Sequence, residues 1–110
     1  MCITGHKPWT AMRDRDSKRI EAALKPFFPV VDAYRYNSVS IRVRVIDNRF
    51  SGLSIAARDD LVAKHLKTLP KRLQADIMML LALTPDECND RTWIRYLTNV
   101  EFENPSRSRL

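Results

Sequence analysis

The sequence predicts a single α+β domain in which helices pack on one face of a small mixed β-sheet, in the order α-β-β-α-β-α. Three observations support this prediction. An apolar face at helical spacing ends at Pro26. Two segments rich in β-forming residues are joined by a short polar turn that contains Asn37. A Thr-Pro-Asp-Glu sequence beginning at Thr84 is typical of the start of a helix.

Length and charge bound the class of protein. The 110 residues suggest one domain, which we assign to residues 17–100, between a flexible segment at 1–16 and an irregular tail at 101–110. The net charge of +6 is concentrated at the ends, since residues 1–20 hold five basic side chains against two acidic ones. We therefore expect the basic character to serve solubility, and it is only weak evidence for nucleic-acid binding.

The few cysteines and histidines and the short apolar runs argue against a metal site, a secreted disulfide-rich protein and a membrane span. Two cysteines, Cys2 and Cys88, leave a disulfide open but form no disulfide framework, which favours the reducing cytoplasm. With two histidines and no Cys-x-x-Cys sequence, we expect no metal site and no cofactor. The longest apolar run, Ile77 to Leu83, is too short to span a bilayer, so no membrane association is expected.

The first half of the predicted domain is a helix followed by a hairpin. Ile20, Ala23, Leu24 and Phe27 recur at helical spacing, and Thr10 or Asp16 could cap this helix. A strand over Val30–Tyr36 follows, and Asn37-Ser38 forms a two-residue turn in which Asn tolerates a left-handed backbone.

The second strand alternates between apolar and basic residues. Ile41, Val43 and Val45 are expected on one face of the sheet, and Arg42 and Arg44 on the other. Arg35 could join these two arginines from the first strand, which would place its neighbours in sequence, both tyrosines, on the opposite face.

A corner and a second helix follow the hairpin. Gly52, after Phe50, suits a sharp turn, and Ser54 is a credible N-cap for a helix with an apolar stripe that includes Val62 and Leu66. Residues 73–83 remain ambiguous between a buried helix and a buried strand. In the capping box that follows, Thr84 and Glu87 satisfy each other's backbone, and we expect the last helix to run through Trp93, Ile94 and Leu97.

The ordered series of segments resembles the BolA-like proteins, whose fold is similar to a class II KH domain. IEAALKP and VVDAYRYN are similar to that family's first helix and strand, RVRVIDNRFSG to its second strand and corner, and LALTPDE to its last strand and the closing helix. The similarity covers roughly Lys18 to Glu87. It implies a non-enzymatic adaptor or regulator that binds a protein partner of the monothiol glutaredoxin type, with a link to iron or redox homeostasis.

The sequence departs from the family at three places. The hairpin at Asn37–Ser40 is short and lacks the His or Cys usual there. The region Gln74–Ile77, where the family has a histidine that helps to ligate a shared iron–sulfur cluster, offers Asp76 instead. The basic trio usual at the start of the second helix reads Arg58-Asp59-Asp60. These departures argue against cluster sharing by this chain.

The candidate contact residues serve two hypotheses. For a protein partner or a nucleic acid, they are Arg35, Arg42, Arg44, Arg49, Arg58 and His65. The alternative to the adaptor is a nucleic-acid-binding regulator that uses an Arg-bearing face of the sheet, although the GXXG loop of KH domains is absent and the face could equally be the ordinary polar side of a two-layer sheet. Four residues are expected to be structural: Phe50, Gly52, Thr84 and Glu87.

An enzyme is disfavoured by the residue types available. Nucleophilic catalysis needs a base beside a Ser or Cys, and His65 is the only histidine in the predicted domain. This histidine is either a residue at the edge of the apolar stripe or a ligand. Asp59 and Asp60 are adjacent on a helix and diverge, so they do not form an acid–base pair.

Overall fold

The computed structural model describes residues 7–109. Three strands form one mixed sheet in the order β1-β2-β3, where β1 is Val30–Asn37, β2 is Ser40–Ile46 and β3 is Ile77–Leu83. β1 and β2 are antiparallel, whereas β2 and β3 are parallel. The predicted α+β class and mixed sheet are therefore confirmed. Cys2, Gly5 and His6 lie outside the described residues, and so does any pairing of Cys2 with Cys88.

Within residues 7–109, four α-helices accompany the sheet. They are α1 (Arg15–Leu24), α2 (Ile55–Ala63), α3 (Lys71–Asp76) and α4 (Tyr96–Glu103). Short 3₁₀ helices lie at Pro8–Met12, Asn48–Phe50 and Asp86–Asn89. The ambiguous segment 73–83 contains both structures, because the short α3 ends at Asp76 and the apolar run from Ile77 continues as the strand β3.

One apolar cluster fills the face of the sheet that α1, α2 and α3 cover. Ile20 and Leu24 of α1 and Val62 of α2 are completely buried against this face. Ile41, Val43 and Val45 of β2 supply its centre, as the alternating pattern predicted. Burial of this size is the main stabilising contribution in a small domain, because each large apolar side chain contributes about 1.5–3 kcal/mol.

The opposite face of the sheet is also covered, which corrects the expectation of a polar, open side. A second cluster joins Trp9, Tyr34, Leu81, Leu83 and Phe102. Trp9 belongs to the first 3₁₀ helix and Phe102 to α4, so both ends of the described chain fold back onto the sheet. Helical structure therefore extends beyond residues 17–100, into parts of the segments predicted to be flexible (1–16) and irregular (101–110).

Three local predictions need correction. Asp14 caps α1, instead of Thr10 or Asp16, and exchanges hydrogen bonds with Ser17. The hairpin turn is Ser38-Val39, and neither these residues nor Asn37 has a positive φ. The Asn37 side-chain oxygen accepts a hydrogen bond from Val39 N at 3.0 Å.

The helix expected directly after the Thr84 capping box is also different. The box exists, but it opens the 3₁₀ helix Asp86–Asn89, and α4 begins only at Tyr96. Ile94 and Leu97 do not form a buried stripe, since they are 83% and 77% exposed.

Candidate functional site

Arg42 and Arg44 are buried, so the expectation of an exposed arginine face is wrong. Their exposed fractions are 8% and 1%. The physical reason is α4, which lies over this face and supplies the acidic side chains of Glu101 and Glu103. Arg42 Nη1 donates to Glu101 Oε2 at 2.7 Å, and Arg44 forms an ion pair with Glu103. A guanidinium held in this way has few donors left for a phosphate.

Arg44 is the centre of a polar network inside the second cluster. Its Nη2 donates to Asp32 Oδ2 at 2.7 Å, and its Nη1 donates to Asn99 Oδ1 at 3.0 Å. The guanidinium carbon also lies 4.5 Å from the ring centroid of Phe102, at cation–π distance. These contacts tie β2 to β1 and α4, so this arginine has a structural role.

The tyrosines and Arg35 lie on faces opposite to those predicted. Tyr34 is paired with Arg42 across the strands, which places both on the same face, whereas Arg35 is opposite Ile41. The Tyr34 hydroxyl donates to Phe102 O at 2.9 Å, and burial raises its pKa to about 12 despite the hydrogen bond from Arg42. Arg42 and Tyr34 therefore form part of the structural network.

Arg35 binds three carboxylates. Its guanidinium donates to Asp14 at 2.6 Å, Asp16 at 3.0 Å and Asp76 at 3.3 Å. It thereby connects β1 to the start of α1 and to the end of α3. This arginine fixes the position of α1 on the sheet, and its charge is balanced inside the chain.

Asp76 stands where the resemblance placed a cluster-ligating histidine, and its surroundings do not fit an iron–sulfur cluster. Such clusters are held by thiolate or imidazole ligands. Neither Asn37–Ser40 nor Gln74–Ile77 contains a Cys or His. The Asp76 carboxylate is already paired with Arg35. Within residues 7–109, no group of three or more His, Cys, Asp or Glu side chains is arranged to hold a metal ion.

Arg58 is also buried and acts as a structural brace. Its guanidinium donates to Glu87 Oε1 at 2.6 Å and to Glu87 Oε2 at 2.9 Å, in a bidentate pair. It donates as well to Ala82 O at 3.2 Å. Glu87 accepts from Thr84 N at 2.8 Å, so the capping box is linked to α2 through Arg58. This link gives the expected structural role of Thr84 and Glu87 a physical basis.

The remaining candidates, Arg49 and His65, line one cleft together with Phe50. The cleft has a volume of about 280 Å³ and lies where the α1–β1 connection, the corner after β2 and the end of α2 meet. The full set of lining residues is Phe27, Phe28, Arg49, Phe50, Leu61, Lys64 and His65. Within the part of the chain that the structure describes, this is the place where several candidate residues share one accessible surface.

Aromatic rings form the walls of the cleft. The His65 imidazole stacks on the Phe27 ring with centroids 3.8 Å apart. It also packs against the Phe28 ring in a T-shaped arrangement, with centroids 5.6 Å apart. Phe28 in turn packs against Phe50, with centroids 6.0 Å apart. Phe27 is 49% exposed, whereas Phe28 and Phe50 are buried. The stacked pair therefore presents a ring to solvent on a rigid apolar base.

Cationic groups stand at the rim of the cleft. The Arg49 side chain is 67% exposed, and its guanidinium donates to Phe27 O and to Asp47 Oδ2, each at 2.6 Å. Hydrogen bonds from Arg49 keep the pKa of Asp47 below its ordinary value, so this carboxylate stays charged. Lys64 is exposed, and no acidic side chain lines the cleft.

Sequence reasoning missed four residues of the cleft: Phe27, Phe28, Leu61 and Lys64. Phe27 was assigned to the buried face of the first helix, but α1 ends at Leu24 and Phe27 lies beyond it. The available signal was the sequence Lys-Pro-Phe-Phe-Pro, which places two aromatic residues in a connection bounded by prolines. Large aromatic side chains in a short connection are often exposed or contact a neighbouring element.

Comparisons with known proteins indicate the fold. No protein-family model matches the sequence, and no curated protein matches it. BolA1 from Mus musculus is similar in structure, with a TM-score of 0.53 and 19% identity over 84% of this chain and 90% of that chain. BolA1 from Arabidopsis thaliana has a TM-score of 0.52 and 15% identity, over 67% of this chain and 96% of that one.

A third similar structure is the BolA domain of SufE1 from Arabidopsis thaliana, with a TM-score of 0.51 and 17% identity. It covers 67% of this chain and 96% of that domain. Nearly the whole length of each BolA structure is thus matched. Together with the α-β-β-α-α-β order described above, in which α3 is a short helix before the last strand, these likenesses show that the chain has the BolA fold.

Proposed function

We propose that this chain is a BolA-like, non-enzymatic adaptor that binds a protein partner of the monothiol glutaredoxin type through the cleft at Phe27 and His65. The observation that carries the proposal is the Phe27–His65 stack, which lines the same cleft as Arg49 and Lys64 and in which Phe27 is 49% exposed. An exposed aromatic ring on a rigid apolar base, with polar groups at the rim, is the arrangement of protein-binding hot spots. Partner binding is also the function that the BolA resemblance implies.

The charge arrangement favours this proposal over nucleic-acid binding. Phosphate contacts need arginine or lysine side chains with unused donors at the surface. Arg42 and Arg44 are buried in ion pairs, and Arg35 is balanced by three carboxylates. The predicted Arg-bearing face is thus covered by protein. None of the helices within residues 7–109 combines the length and the apolar character that a membrane span requires.

In this proposal, any link to iron or redox homeostasis depends on the glutaredoxin partner and not on a metal ligand of this chain. The residues at Asn37–Ser40 and Asp76 do not fit a cluster, so no step of the proposed function uses a cluster ligand from this chain.

Co-expression with a monothiol glutaredoxin, followed by gel filtration and a visible absorption spectrum, tests the proposal. We expect the two chains to elute together, and we expect Phe27→Ser to separate them. Met78→Ser is the matched control, because Met78 is 70% exposed but does not line the cleft. Separate elution of the wild-type chain would contradict the proposal. Binding of duplex DNA tighter than micromolar at about 150 mM salt by the wild-type chain would favour the nucleic-acid alternative.

A further inference from the structure

We infer that the cleft selects an acidic segment of its partner, in which one aromatic or aliphatic side chain is flanked by carboxylates. This inference rests on the proposed function and names the chemistry of the partner. Three features of the cleft carry it: its size, its apolar walls and the sign of its charge.

The size of the cleft fits one side chain. Clefts for cofactors and drug-sized ligands usually measure about 300–1,000 Å³. At about 280 Å³, this cleft lies just below that range. A single large side chain with part of its backbone is therefore a better match than a whole dinucleotide.

The walls favour an apolar anchor. Phe27, Phe28, Phe50 and His65 supply four rings, and Leu61, which is 36% exposed, completes the apolar surface. An inserted ring could pack on the Phe27–His65 stack in an offset or edge-to-face arrangement, which adds to the burial of apolar area. Stacking partners of this kind are enriched where protein interfaces gain most of their affinity.

The positive charge of the cleft determines which residues can flank the apolar side chain of the partner. Arg49 and Lys64 line the cleft, but the Arg49 guanidinium is paired with the carboxylate of Asp47, a residue only 4% exposed. Lys64 has no ion pair within the described part of the chain. An incoming carboxylate therefore meets the Lys64 ammonium, which no acidic side chain of the cleft neutralises, whereas an incoming lysine meets a like charge there.

The test uses three blocked pentapeptides titrated into the full-length protein by isothermal calorimetry. The probes have the sequences Asp-Glu-Phe-Glu-Asp, Asn-Gln-Phe-Gln-Asn and Lys-Lys-Phe-Lys-Lys. We expect the acidic peptide to bind at least about fivefold more tightly than the neutral one, and the basic peptide not to bind. The acidic preference should weaken as the salt concentration rises. Equal binding of the acidic and neutral peptides would overturn the inference.

Two charge reversals locate the effect. Lys64→Glu should weaken binding of the acidic peptide by roughly fivefold or more, because an attraction is replaced by a repulsion. Lys18→Glu is the matched control, since Lys18 is an exposed lysine on α1 outside the cleft. Both substitutions are at exposed positions, so circular dichroism should show unchanged folding. An equal loss in both variants would mean that net charge acts without the cleft, and this result would also overturn the inference.

The outcomes separate this inference from the proposed function. If the glutaredoxin complex forms and Lys64→Glu leaves it intact, the adaptor function stands and the acidic selectivity is wrong. If no glutaredoxin complex forms but the acidic peptide binds in the cleft, the selectivity stands and the proposed class of partner is wrong.

Discussion

The imidazole of His65 and the phenyl ring of Phe27 lie face to face, with centroids 3.8 Å apart and an angle of 17° between their planes. One ring follows the end of α1 and the other follows the end of α2. The contact therefore connects two helix ends at a position that remains accessible to a partner. This relationship is the basis of the proposed binding site.

The buried arginine of the central strand should be important for stability. We expect Arg44→Ala to lower the free energy of unfolding by about 3–5 kcal/mol, because it leaves Glu103 and Asp32 without their buried partner. Urea unfolding measures this change. Arg19→Ala is the control at an exposed position and should alter stability by less than about 0.5 kcal/mol. Similar midpoints for both variants would show that the network contributes little.

The corner after Phe50 should resist substitution because of its backbone conformation. Gly52 has φ of +77°, and a Cβ atom built there would have no neighbour within 4 Å. The cost of Gly52→Val, about 1–3 kcal/mol, should therefore come from strain in the left-handed backbone. Thermal unfolding should show Gly52→Ala to be destabilised as well and Gly52→Asn to be affected least. A fully tolerated Gly52→Ala, with a loss only for Val, would instead point to crowding.

The capping box should contribute less than the ion pair that it supports. Glu87 N lies 3.3 Å from Thr84 Oγ1, so we expect Thr84→Ala to cost roughly 1 kcal/mol. Glu87→Ala also leaves the buried Arg58 without its bidentate partner, and its loss of stability should be at least twice as large. Chemical denaturation measures the loss of unfolding free energy in each variant. A larger loss for Thr84→Ala than for Glu87→Ala would contradict the role given to the Arg58–Glu87 pair.

Acid should weaken the structure through Glu87. Burial alone would raise the pKa of this carboxyl, but hydrogen bonds from Arg58 and from the backbone of Thr84 hold the pKa below its ordinary value of 4.5. Since the folded pKa is the lower one, the stabilisation is complete above about pH 4.5 and is lost as the pH falls through the folded value. The free energy of unfolding, measured from pH 7 to pH 3, should decline less steeply in Glu87→Gln than in the wild type.

The purified chain should contain no stoichiometric metal. The place where the family has a histidine holds Asp76, and its carboxylate is paired with Arg35. We expect inductively coupled plasma mass spectrometry of the protein expressed alone to find well below one iron or zinc per chain. One equivalent of either metal would show that a ligand set has been overlooked.

The first half of the fold could be predicted because its sequence signals are local. Pro26 closes a helix, and the alternation from Ile41 to Val45 assigns a strand. The second covered face could not be predicted, because it depends on contacts between residues far apart in sequence. Trp9 Nε1 donates to Glu103 across the molecule, and Tyr34 donates to Phe102 O. The spacing of apolar residues along the sequence contains no information about such long-range pairs.

The candidate site was predicted only in part for the same reason. Arg49 and His65 were predicted as contact residues and Phe50 as a structural residue, but their common cleft depends on the path of the chain at Phe27. The arginines of β2 were misplaced because alternation shows that they share a face but not that α4 supplies carboxylates to it. Alternating charge in a strand cannot distinguish a solvated face from a buried ion-pair network.

The most direct test of the central claim is chemical-shift mapping of the ¹⁵N-labelled chain with an unlabelled monothiol glutaredoxin. We expect the largest amide shift changes at the cleft, meaning Phe27, Phe28, Arg49, Phe50, Leu61, Lys64 and His65. Met78 and the hairpin at Ser38-Val39 should change little. Changes confined to the hairpin and Met78, or no changes at a saturating concentration of the glutaredoxin, would contradict the claim that the cleft binds this partner.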